Sequence, residues 1–223
     1  MSAADRRRVR TAYLTIGRDT TAEVEARRSR FRCTLRRVET EEQAREVIAA
    51  VRSGHADAGH HCSAMVLGPD RSPERSSDDG EPAGTAGAPM LDVLRGAEVS
   101  DVVAVVTRWF GGTLLGSGGL IRAYGGAVRA ALHDIPRVRR ILVEEHWLAV
   151  SHAHAGRIEN DLRGRGVHVM HTEYAEQARI RLGAPAGERD ELAAVTAEAT
   201  AGAGELTPAG TRWLDRPVTV APP

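Results

Sequence analysis

Residues 76–131 hold glycine, acidic and small residues at a density that ordinary core building does not require, and this stretch constrains the fold most. It contains SSDDGEPAGTAGAPMLDVL, then the apolar run VVAVV, then TRWFGGTLLGSGGLIRAYGGAVRAAL. Asp78, Asp79 and Glu81 lie in a turn-rich segment marked by Asp79-Gly80 and Glu81-Pro82. Gly84, Thr85, Ala86 and Gly87 lead into Pro89, whose fixed φ and missing N–H suit the first turn of a helix. A β-branched strand over 102–107 then delivers Arg108, Trp109 and Phe110 to a second glycine loop. That loop spans Gly111, Gly112, Gly116, Gly118 and Gly119 and opens into a helix over 120–132. Two glycine turns that feed helix N-termini bring bare amides and positive helix ends together, which suits an anion or a closely approaching backbone. Both bends are expected to meet at one concave surface edged by guanidinium and carboxylate.

Length and charge set the outer bounds. A chain of 223 residues holds one large domain or two small ones and needs no covalent staples. The formal net charge is zero, so any attraction for nucleic acid must be local. The basic residues are all arginine; with no lysine, neither a Schiff base nor a Walker-type lysine on a nucleotide phosphate is available. Cys33 and Cys62 form no CxxC pattern and read as reduced thiols of a cytoplasmic protein. No apolar run approaches the roughly 20 residues needed to cross a bilayer, so a membrane role is not expected.

Along the chain, alternation at 24–26 and 31–35 predicts two half-buried strands joined near Arg28 and Ser29. Thr40 and Gln43 form a capping-box pair, and Ala44, Val47, Ile48 and Val51 then share one helical face up to Gly54. HHCSAMVLG reads as a strand with His60, Cys62, Ala64 and Val66 on one face and His61, Ser63, Met65 and Leu67 on the other. Residues 69–79 read as a polar surface loop and 134–140 as a linker. Beyond it the order restarts: strand 141–151, helix 158–163, strands 167–174 and 178–182, helix 188–201 and strand 205–214. That is the β-α-β-β-α-β order of a ferredoxin-like unit in about 75 residues. The fold class is therefore α+β in two domains. Residues 1–20 are a tail with a first short strand, 21–134 and 135–215 the domains, and 216–223 a second tail.

The candidate chemistry carries alternatives. Asp78, Asp79 and Glu81 suit Mg²⁺ ligation or general acid/base work, and equally the capping of turns and helix starts. Adjacent histidines on a strand point to opposite faces, so at most one of His60 and His61 can face the acids, which argues against a metal. GGTLLGSGG matches neither the dinucleotide nor the Walker spacing. It serves either tight packing or anion binding, and Arg108 and Arg122 flank it with the geometry for a bidentate phosphate or carboxylate clamp.

SDDGEPAGTAGAPML followed by VVTRWFGGTLLGSGGLIRAYGGA resembles the signature of the IMPACT/YigZ family, and GHHCSAMVLG is similar to that family's upstream strand. The resemblance implies a first domain folded like the second domain of a small-subunit ribosomal protein and like domain four of elongation factor G. A ferredoxin-like domain would follow. It also implies a link to translation, since eukaryotic relatives act in translational control. The family's usual tyrosine after Arg108 is Trp109 here, which keeps stacking and removes a hydroxyl.

Two functions are expected to compete. One is a non-catalytic regulator docking on RNA, the ribosome or a translation factor. Its binding set would be Asp78, Asp79, Glu81, Thr85, Arg108, Trp109, Phe110, Arg122, Tyr124 and His61 with the second-loop glycines. It needs no cofactor. The other is a Mg²⁺-assisted enzyme on a small anionic or phosphate-bearing substrate, with Asp78, Asp79 or Glu81 as base or ligand.

Overall fold

The computed structural model describes residues 10–218, which divide into two compact α+β units, 10–139 and 140–216, with 217 and 218 grouped with the first. The first unit runs β1 (Ala12–Ile16), β2 (Thr20–Ala26), β3 (Ser29–Arg37), α1 (Glu41–Gly54), β4 (His60–Val66), β5 (Glu74–Ser77), α2 (Gly87–Gly96), β6 (Val102–Trp109) and α3 (Ser117–His133). Five of these strands form an antiparallel sheet in the order β2-β3-β6-β4-β5.

The sheet is covered on both faces, which explains why β6 is an unbroken apolar run rather than an alternation. Val102, Ala104 and Val106 point into the larger core with Phe31, Leu35, Met90, Leu94 and Tyr124. Val103 and Val105 point the other way, to Ala44, Met65 and Leu67 under α1. The two-faced reading of β4 holds: Cys62, Ala64 and Val66 join the first cluster, Met65 and Leu67 the second. At the start of α1, Thr40 Oγ1 accepts the Gln43 amide at 3.2 Å while Gln43 Oε1 accepts the Glu39 amide at 2.7 Å.

Three expectations are corrected here. The polar segment before Ser77 is not all loop: β5 pairs with β4 from Val66↔Glu74 to Ser63↔Ser77 and closes the sheet as a short, polar edge. Gly118 and Gly119 lie inside the first turn of α3, which begins at Ser117. The arginine-rich 137–140 segment is strand, not linker, because β7 spans Arg137–Val150.

The second unit continues β7 with α4 (His152–Gly164), β8 (His168–Tyr174), β9 (Ala178–Pro185), α5 (Arg189–Thr200) and β10 (Glu205–Pro217). β7 pairs with β9 and β10, and β9 with β8. Leu148, Ile158, Leu162, Ile180, Leu182 and Leu192 form its separate core. The element order is the ferredoxin-like one.

Candidate functional site

The acidic bend is a lock. The residue preceding α2, Ala86, has no side chain to cap the helix, so Asp78 reaches over from the end of β5 and does the capping. Its Oδ1 accepts the amides of Ala86 at 3.0 Å and Gly87 at 2.8 Å, and its Oδ2 accepts Gly84 at 2.8 Å. Burial pushes the Asp78 carboxyl up, but these amides outweigh it and hold the group below the ordinary carboxylate range. Gly87 is required by contact: a Cβ there would sit 2.8 Å from the Ser77 nitrogen. Thr85 is buried, and its hydroxyl donates to the Pro82 carbonyl at 2.6 Å, tying off the turn.

Asp79 turns the other way. Its Oδ1 accepts Arg52 Nη2 at 2.5 Å and its Oδ2 the His61 amide at 2.6 Å. Burial raises this carboxyl too, and Arg52 with the His61 amide brings it down below the usual range. Glu81 goes furthest inward, to 8% exposure, where one oxygen accepts both Arg108 Nη1 at 2.6 Å and the Tyr124 hydroxyl at 2.7 Å.

Around that oxygen lies a polar knot in an apolar setting. Tyr124 meets Phe31 edge-on at 5.1 Å, and the Arg108 guanidinium sits over Phe31 at 5.5 Å. Cys62 Sγ donates to the Asp78 carbonyl at 3.0 Å. Burial drives the Cys62 thiol up to about 12, and that of Cys33 likewise, so neither is a ready thiolate. Burial, Cys62 and Glu81 also raise the Tyr124 phenol. His60 faces the acids, with Nδ1 2.9 Å from the Asp79 carbonyl and Nε2 4.0 Å from Glu81. His61 points to the other face, beside Thr107 Oγ1 at 3.2 Å. Burial and then Arg52 lower its imidazole.

Arg108, expected on the rim of the glycine loop, is therefore beneath it, only 7% exposed and paired with Glu81. Trp109 is also engaged, its Nε1 donating to Asp57 Oδ2 at 2.8 Å with the Arg30 guanidinium 4.2 Å from its ring. All three acids thus hold protein partners rather than an open face. Among the described residues no group of three or more His, Cys, Asp or Glu is placed to hold a metal ion.

The second bend is open. Phe110 and Leu114 are 58% and 81% exposed. The bend is built against the β2–β3 turn, where Arg27 and Arg28 adopt left-handed φ values of 47° and 66°. A Cβ on Gly111 would lie 2.0 Å from the Arg28 carbonyl carbon, so only glycine permits this approach. Arg27 Nη1 donates to the Leu114 carbonyl and Arg28 Nη2 to Thr113 Oγ1, each at 3.0 Å, and the Gly111 amide donates to Ser29 Oγ at 3.1 Å. Gly112 and Gly116 supply φ values of 81° and 70°. Between the turn and α3 lies a cleft of about 320 Å³ lined by Arg27, Glu25, Leu115, Gly119, Arg122 and Gly126. Arg122 is exposed there and forms no ion pair among the described residues.

Sequence reasoning singled out Arg122 and missed Arg27 and Arg28. Nothing local ties them to the glycine loop; the β3–β6 register does, by setting Phe31 opposite Arg108 and Arg30 opposite Trp109.

A sealed acidic lock beside an open arginine–glycine bend, followed by a ferredoxin-like unit, defines a class of two-domain α+β proteins. The models for the Impact N-terminal domain and for a domain of unknown function, DUF1949, match residues 27–132 and 148–203. The chain is 37% identical over 207 residues to the IMPACT family member YvyE of Bacillus subtilis, covering 93% of this chain and 95% of that protein. It is 39% identical over 184 residues to YigZ of Escherichia coli, covering 82% and 90%. A solved structure described as a hypothetical protein is 36% identical, with a TM-score of 0.62 over 88% of this chain and 96% of that one. The chain belongs to the IMPACT family.

Proposed function

We propose that this protein is a non-catalytic, translation-linked regulator that binds RNA, with phosphate groups seated in the cleft between the β2–β3 turn and α3. One observation carries the reading: Arg27 and Arg122, distant in sequence, face one cleft from opposite walls, Arg122 sharing the α3 wall with Gly119 and Gly126. Gly126, with open space where a Cβ would stand, lets a phosphodiester backbone come close, and the two guanidiniums supply charge-assisted contacts. Phe110 and Leu114 on the same glycine bend offer exposed surface on which an unpaired base can rest. Since the formal net charge is zero, this local field is what would attract a polyanion.

The test is a salt series of binding to single-stranded RNA by wild type, Arg122→Ala and Arg27→Ala. Each variant should weaken binding and reduce the slope of log K against log salt by about 0.7 per lost phosphate contact. Absence of binding at low salt, or variants indistinguishable from wild type, would overturn the reading.

A further inference from the structure

The second unit contains a cavity of about 230 Å³ where β7, the α4–β8 connection, β9 and the first turns of α5 converge. That is below the roughly 300–1,000 Å³ typical of drug-sized ligands, so an occupant must be small. One part of its wall is aliphatic, formed by Val143, Val167, Leu192 and Val195. Charge of both signs lines the same hollow: Arg216 on β10, and Glu188 and Glu191 at the start of α5. None of these three forms an ion pair among the described residues. Arg165, which also lines the cavity, is already held by Asp161 at 3.1 Å and Glu198 at 2.6 Å. His168 also lines the cavity. Burial and then the nearby Arg216 lower its imidazole, so at neutral pH the anion-binding charge is that of Arg216.

A hollow of mixed polarity, with an aliphatic wall and with an unpaired guanidinium and unpaired carboxylates that do not close on one another, fits a ligand that carries both charges on a compact aliphatic body. We infer that this cavity binds a small aliphatic α-amino acid, with its carboxylate on Arg216, its ammonium on Glu188 or Glu191, and its side chain against Val143, Leu192 and Val195. The site uses none of the residues of the RNA cleft and stands or falls separately from it.

Calorimetric titration of the full chain with L-leucine, leucinamide and 4-methylpentanoate tests the assignment. Leucine should bind, and each one-charge analogue should bind about tenfold or more weakly, since each forfeits a charge-assisted contact. Arg216→Ala should weaken leucine to the same degree, and Val195→Phe, which fills the hollow, should abolish binding while the chain stays folded. The inference is overturned if leucine, isoleucine, valine and methionine all give no heat. It is equally overturned if 4-methylpentanoate matches leucine, or if Arg216→Ala binds leucine as wild type does.

Discussion

Glu81 Oε1 accepts Arg108 Nη1 at 2.6 Å and the Tyr124 hydroxyl at 2.7 Å, so one carboxylate oxygen joins the acidic bend to β6 and to α3. The Arg108 and Glu81 side chains are only 8% and 3% exposed. Water cannot replace either partner there, and the pair is held by geometry rather than by a favourable medium.

Removing one member should therefore be far worse than removing both. Glu81→Ala leaves Arg108 charged and buried, and should cost about 3–5 kcal/mol of unfolding free energy. Pairing it with Arg108→Met should recover part of that loss. Urea denaturation of the two single variants and the double variant measures it. A loss below about 1 kcal/mol for Glu81→Ala, the scale of an exposed pair, would contradict this account.

Asp78 ties stability to pH. Its folded-state carboxyl lies below its ordinary value of 3.8, so its contribution is present above that value and is lost as the pH falls through the folded one. Asp79 acts in the same direction. Asp78→Asn keeps an acceptor for the helix amides but removes the titration, so its stability should fall less steeply than wild type below about pH 4. Asp78→Ala loses the cap itself, at a cost of about 1–2 kcal/mol at neutral pH. Denaturation midpoints measured from about pH 3 to about pH 7, a range that brackets the ordinary carboxyl value of 3.8, distinguish the two variants.

The glycines should separate by what surrounds them. Gly111→Ala forces a Cβ onto the Arg28 backbone and should destabilise by about 1–3 kcal/mol or more, because a turn and not a side-chain tip must move. Gly126 lies within α3 with nothing inside 4 Å of a built Cβ, so Gly126→Ala should stabilise by about 0.5–1 kcal/mol. Thermal melts of the two variants should shift in opposite directions.

Much of the scaffold is legible from periodicity. The alternation around Val24 and Phe31, the Thr40–Gln43 box and the two faces of β4 all appear in the structure, because each depends on neighbours a few residues away. β5 escaped notice because ERSS has no apolar face, and an edge strand needs none when its partner supplies the hydrogen bonds. The early start of β7 escaped for a related reason: RVRR carries charge where a strand is usually recognised by apolar alternation.

For the site, the residue types in the chain pointed to acids, arginines and glycines gathered within residues 76–131, without lysine. Which of those groups face solvent was decided only by tertiary structure. Arg108 and Arg122 look alike in sequence, each beside a glycine run, yet one is sealed against Glu81 and the other stands free on α3. A carboxylate brought from 27 residues away makes that difference, and so does a β2–β3 turn brought from 85 residues away to meet the loop. Sequence patterns encode local spacing; burial and pairing depend on which distant segments the sheet register places together.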